Sequence, residues 1–221
     1  MRYDNIVYGT FLSRPNRFTA VAELCGREEI VHVKNTGRCA DLLIKGAKVA
    51  LCDCGNDKRK TRYDLVAAYS DKLGWVNIDS TAPNIVAAEW LGTQDFTLIR
   101  PEYRYGDSRV DFYMERGNER FLMEVKGCTK ERGGVGYFPD APTTRGVKHL
   151  RELKRAAAEG IDATVAFVIQ MNGISEVRPD DEIHPEFGAA LSAAGAAGVH
   201  VLFLRCRAEA DSLEVISHGY L

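Results

Sequence analysis

The sequence predicts two joined architectures: a small closed β-barrel over residues 1–80, then a mixed α/β domain with helices flanking a central sheet over residues 81–221. Three observations predict it. Short alternating apolar runs punctuated by turn residues fill residues 1–80. A helix start stands at Asp79-Ser80-Thr81-Ala82-Pro83, where Ser80 or Thr81 can cap and Pro83 fits the first turn. Beyond it, strand and helix periodicities alternate, the pattern of helices packed on a sheet.

In chain order, the first part offers strands at 5–12, 18–25, 29–34, 48–54, 64–68 and 75–79, with one short helix at 38–44 stopped near Gly46. About five strands in so short a length suit a closed barrel, because closure removes exposed strand edges. In the second part Ile85, Val86, Ala88 and Leu91 give a helical stripe over 83–91 that ends at Gly92. A strand at 96–105, a hairpin at 108–127, a helix at 144–159, a strand at 163–170, a helix at 185–197 and strands at 199–206 and 213–217 follow. The Ala- and Gly-rich run 188–197 permits close helix-to-sheet approach and reads as scaffold.

The hairpin carries the chemistry. Gly117-Asn118 is a two-residue turn signal, so residues whose numbers share a sum face each other: Asp111 opposite Glu124, and Arg109 opposite Lys126. Alternation puts these four on one face, and Val110, Phe112, Met114, Phe121, Met123 and Val125 on the other. Two opposed carboxylates repel unless a cation lies between them, and Mg²⁺ or Mn²⁺ is the natural occupant. Lys126 would orient a water or offset phosphate charge. The bland reading is an ordinary cross-strand ion pair; the two-faced hairpin favours a site. Glu102, at the head of the preceding strand, is a further candidate ligand, and Glu89 in the first helix a weaker one.

Bulk properties narrow the class. Net charge is −2, with +3 on residues 1–80 and −5 on the remainder, so nucleic-acid affinity has to come from local patches. Candidate phosphate contacts are the turn carrying Lys34 and Arg38 and the cluster Lys58, Arg59, Lys60 and Arg62. Tyr63, Tyr69 and Trp75 are candidate stacking surfaces or core. Six cysteines without zinc spacing read as reduced, and no apolar run approaches the length of a membrane span, which together give a cytoplasmic expectation. The glycines at 133, 134 and 136 lack the Gly-Lys-Ser/Thr ending of a phosphate loop. In helix 144–159, Val147, Leu150, Leu153 and Ala157 form the buried stripe. Arg145, Lys148, His149 and Glu152 read from spacing alone as a solvated face, and as phosphate clamps only if that face meets the carboxylates.

Taken together, Asn35-Thr36-Gly37-Arg38, the stretch from Tyr105 to Phe112, Glu124-Val125-Lys126-Gly127-Cys128-Thr129 and the stretch from Phe138 to Leu150 resemble the sugar fermentation stimulation protein A family along essentially the whole chain. The resemblance implies an N-terminal OB-like barrel and a domain similar to the PD-(D/E)xK nuclease fold. It also implies DNA binding without strong sequence preference. One departure is Ile183-His184-Pro185, where the family reads Asp-Pro. By position, Asp111, Glu124 and Lys126 match the nuclease-type signature.

The expectation is therefore a cytoplasmic DNA-binding protein that is a divalent-metal phosphodiesterase, with Asp111, Glu124 and Glu102 as metal ligands and Lys126 positioning water. Lys34, Arg38, Lys58, Arg59, Lys60, Arg62, Arg109, Arg145 and Lys148 would contact nucleic acid. RNA as substrate and a homodimer stay open, and no membrane partner is expected. The rival is a non-catalytic DNA-binding regulator of sugar (maltose) metabolism genes. Retained carboxylates argue against that rival, because a pure binder gains nothing from negative charge facing phosphates.

Overall fold

A computed structural model describes residues 1–55 and 59–221; Lys58 lies outside the described residues. Strands β1 (Ile6–Asn16), β2 (Thr19–Leu24), β3 (Arg27–Val33), β4 (Lys48–Asp53) and β5 (Tyr63–Ser70) form the barrel, and β6 (Gly74–Asn77) extends it. Strand order is β3-β2-β1-β4-β5-β6, and the parallel pairing of His32 with Asp64 and of Val33 with Leu65 closes the barrel. Closure leaves the inward residues Val31, Leu51 and Leu65 almost fully buried. The short helix expected at 38–44 is absent: Leu42 and Leu43 N–H groups both donate to the Cys39 carbonyl, making an isolated turn. Cys39 at φ 46° starts that segment outside the right-handed helical region, which accounts for the failure.

Helix α1 (Ala82–Leu91) leads into β7 (Leu98–Tyr105), β8 (Ser108–Arg116) and β9 (Glu119–Cys128). The small strands β10 (Lys130–Arg132) and β11 (Val135–Phe138) follow, then α2 (Thr144–Ala158), β12 (Asp162–Ile169), β13 (Val177–Pro179), α3 (Pro185–Gly195), β14 (His200–Ala208) and β15 (Leu213–Tyr220). The main sheet runs β15-β14-β12-β9-β8-β7, with β9–β12 and β12–β14 parallel. A second small sheet, β10-β11-β13, is not legible in the sequence, because three- and four-residue strands carry no period. It is pinned by Asp180, fully buried and bound by Lys130 at 2.6 Å and Arg132 at 3.2 Å.

The helices cover opposite faces of the main sheet. Val86, Ala87 and Leu91 of α1 pack with Phe112, Met123 and Val125, while Leu150 and Leu153 of α2 pack with Leu122, Val165 and Phe167. This second core is continuous with the barrel's own apolar interior. The connection is also tied by polar groups: Gln170 Nε2 donates to Asn77 Oδ1 at 2.8 Å and to the Asp79 carbonyl at 3.1 Å. Asp79 Oδ1 in turn accepts from the Thr81 N–H at 2.9 Å and its hydroxyl at 2.7 Å. Among the described residues no helix is long and apolar enough to cross a membrane.

Candidate metal centre

The β8–β9 turn is built as its sequence requires. Arg116 pairs with Glu119 around Gly117, whose φ of 60° suits a hairpin turn with glycine at the first central position. From there the register follows the expected sum as far as Phe112 opposite Met123. Beyond that pair the ladder opens. Asp111 Oδ2 accepts the Val125 N–H at 2.7 Å, so a carboxylate occupies the place of the next backbone acceptor. Asn84 of α1 donates to Asp111 Oδ1 at 2.8 Å and fixes the carboxylate from the other side. The opening shifts the apolar face as well: Val110 joins the α2-side core, whereas Phe112 and Met114 remain on the α1 side.

Glu124 is 3 % exposed, and Lys126 Nζ lies 2.6 Å from its Oε1. His149 of α2 reaches the same oxygen through Nδ1. Arg145 Nε donates to His149 Nε2 at 3.3 Å, so Nδ1 carries the proton that is donated to Glu124. The other carboxylate oxygen, Oε2, is buried without a hydrogen bond among the described residues. Burial alone would raise the Glu124 carboxyl, but His149 and Lys126 together hold it below the ordinary carboxylate range. For Asp111, burial first and the Glu124 charge second push the carboxyl up, against the Val125 N–H and the Asn84 amide.

Two acidic groups that disfavour each other's charge, one with an orphaned oxygen, fit a hard divalent cation. Among the described residues no three or more His, Cys, Asp or Glu side chains converge as ligands. Two carboxylates are the oxygen donors available here, a set that suits a hard divalent cation keeping several waters better than zinc. Glu102 does not join: at φ 52° its backbone turns the side chain out, 65 % exposed and 3.7 Å from Arg109. Glu89 instead binds the Met1 amine at 2.7 Å.

The expected phosphate contacts divide in two. Arg59 lies 2.5 Å from Asp64, Lys34 lies 3.1 Å from Asp64 and 3.3 Å from Asp79, and Arg62 lies 2.6 Å from Asp53, so these charges are engaged within the barrel. Arg38, Lys60, Arg145 and Lys148 are exposed, Lys148 lying 3.9 Å from Glu152. Trp75 sits with Tyr8 and Tyr69 on the barrel surface, beneath Lys48 Nζ at 5.4 Å. His149 and Glu152 correct the solvated-face reading, since both are buried; Ser108 donates to Glu152 at 2.6 Å. The i, i+4 pair of Arg145 and His149 within a chemistry-bearing motif is the available signal.

The chain thus joins an OB-type barrel to a mixed α/β domain in which half-buried Asp111 and Lys126 flank buried Glu124. Residues 12–78 match the family model described as SfsA N-terminal OB domain, and residues 81–212 match the one described as Sugar fermentation stimulation protein RE domain. The chain therefore belongs to the sugar fermentation stimulation protein family. It is 49 % identical over 217 residues to the sugar fermentation stimulation protein homolog of Desulfitobacterium hafniense (strain Y51), covering 97 % of this chain and 95 % of the relative. It is 46 % identical over 220 residues to that of Clostridium beijerinckii, covering 97 % and 96 %. Among solved structures it resembles Pyrococcus furiosus SfsA in complex with Ca²⁺, at 26 % identity and a TM-score of 0.84, over 100 % of this chain and 95 % of that one.

Proposed function

We propose that this chain binds DNA with little sequence preference and hydrolyses phosphodiester bonds with a divalent cation, as a PD-(D/E)xK-type nuclease. The observation that carries the reading is half-buried Asp111 beside buried Glu124, with Lys126 on the Glu124 oxygen. A solvated ion pair does not need an opened ladder, and a pure DNA binder gains nothing from two carboxylates. That Pyrococcus furiosus SfsA was solved in complex with Ca²⁺, a cation that takes oxygen ligands, supports a divalent-cation reading of these carboxylates.

Asp111 and Glu124 would hold Mg²⁺ or Mn²⁺, which when bound supplies Lewis-acid activation of water and neutralises phosphate charge. Lys126 orients the attacking water and offsets charge on the phosphate oxygens. His149 holds the Glu124 carboxylate by one oxygen and leaves the other for the cation, an orienting role of the kind that groups behind metal ligands play. Arg145 and Lys148, together with Arg38 and Lys60, grip the backbone, and backbone contacts carry no sequence information. The test is cleavage of labelled DNA and RNA with Mg²⁺ or Mn²⁺ by wild type, Asp111→Asn and Lys126→Ala. Cleavage by wild type alone supports the reading. If freshly purified wild type cuts no form of nucleic acid, the non-catalytic regulator is the better account.

A further inference from the structure

A cleft of about 260 Å³ lies between the barrel turn Asn35-Thr36-Gly37 and the end of β9, and Asn84 and Val125 are shared between its wall and the metal centre. Two acceptors face it. Gln170 is 2 % exposed, with its amide nitrogen spent on Asn77 and Asp79, while its Oε1 takes no hydrogen bond among the described residues. That oxygen lies over Gly127, where a Cβ would collide with it. Asp140 makes no hydrogen bond or ion pair among the described residues, and its carboxylate rests on Gly37, where a Cβ would again collide. Two glycines thus seat two acceptors at closest approach, and Phe138, Pro139 and Pro142 add flat apolar walls.

We infer that this cleft receives the base of one unpaired, amino-bearing nucleotide, so that the substrate strand is single or locally opened. The inference rests on the phosphodiesterase reading for the placement of the strand. Among the described residues the lining holds an anionic acceptor and no cation, which disfavours phosphate in the cleft itself and selects a group that donates hydrogen bonds. Exocyclic amines of cytosine, adenine and guanine carry two N–H donors on one nitrogen and can serve both acceptors, whereas thymine has no exocyclic amine and offers a single ring N–H. The volume is below the roughly 300–1,000 Å³ of drug-sized pockets and takes one base rather than a pair. In a base pair one N–H of each exocyclic amine is already spent on the partner base, so a paired base cannot give both N–H groups to Gln170 and Asp140, and a duplex cannot insert a single base into so small a cleft.

The test is fluorescence anisotropy with labelled ten-nucleotide strands of deoxycytidine or thymidine and a mixed duplex, in Ca²⁺ and in chelator, where no turnover is required. Wild type should bind the cytosine strand about tenfold more tightly than the thymine strand, the size of one charge-assisted hydrogen bond, and more tightly than the duplex. Asp140→Asn should shrink that cytosine-to-thymine ratio toward one, whatever its effect on overall affinity. Gln170→Met is the second variant, with thermal melts confirming that each is folded. Equal wild-type affinity for cytosine and thymine strands, or duplex binding as tight as single-strand binding, overturns the inference. Failure of the phosphodiesterase reading would appear separately, as a preserved ratio without cleavage in Mn²⁺.

Discussion

Replacing Asp64 by Asn tests whether the basic segment of the barrel serves the fold. Asp64 is 4 % exposed and sits among Arg59 at 2.5 Å, Lys34 at 3.1 Å and His32 at 3.1 Å. Burial pushes its carboxyl up, but Arg59 and Lys34 outweigh that and bring it from 3.8 to about 2. A shift of that size corresponds to about 2 kcal/mol of stability at neutral pH. Arg59 and Lys34 are 31 % and 30 % exposed, so solvent screening reduces the expected loss to about 1–2 kcal/mol. Because the folded value is depressed, this contribution is complete above about pH 4 and disappears as pH falls through about 2. Urea unfolding of wild type and Asp64→Asn, followed by circular dichroism between pH 7 and pH 2.5, measures the gap. A midpoint loss of about 0.5–1 M at pH 7 that narrows with acid is expected. Equal midpoints at pH 7, or a gap that stays constant into acid, would mean that Arg59 and Lys34 do not stabilise the barrel through Asp64.

Lys60→Ala or Arg38→Ala should lower the salt slope of DNA binding by about one unit each, measured by titration at several ionic strengths; an unchanged slope places phosphate binding elsewhere. Asp111→Asn removes a charge that burial and Glu124 disfavour, so in chelator its melting temperature should exceed that of wild type by about 2–4 °C at pH 7. Because the folded Asp111 value is raised, that advantage should shrink as pH falls through it, and a calorimetric difference of opposite sign contradicts the account. His149→Ala should weaken Mn²⁺ binding by about 10–100-fold, read by titration calorimetry, because Glu124 loses its orienting partner. Gly127→Ala should cost about 1–3 kcal/mol in denaturant unfolding, since its Cβ would strike Gln170 Oε1 and come within 2.7 Å of Pro83 Cγ.

How much is legible in the sequence follows from which interactions are local. The barrel followed by a mixed α/β domain is readable because turn residues and alternation are local signals, and the hairpin register as far as Phe112–Met123 follows from Gly117-Asn118. Opening of the ladder at Asp111 is not readable, because it rests on a side-chain acceptor for the Val125 N–H and on Asn84 of α1, distant in sequence, holding the other carboxylate oxygen. Spacing makes His149 a surface residue, since it cannot reveal that α2 packs over the end of β9. Arg59, Arg62 and Lys34 read as phosphate contacts because Asp53, Asp64 and Asp79, their partners, stand on other parts of the barrel wall and linker. Glu102 misleads for a backbone reason, a positive φ at a non-glycine residue that no composition rule predicts.

If Asp111 and Glu124 form a two-carboxylate cation site, metal affinity should depend on both of them and not on Glu102. Titration calorimetry with Mn²⁺ on the metal-free protein addresses it without depending on substrate or turnover. Wild type and Glu102→Ala should bind one Mn²⁺ per chain, and affinity should be lowered at least tenfold in Asp111→Asn and in Glu124→Gln. Undiminished Mn²⁺ binding by Asp111→Asn, or loss of binding in Glu102→Ala, would contradict it.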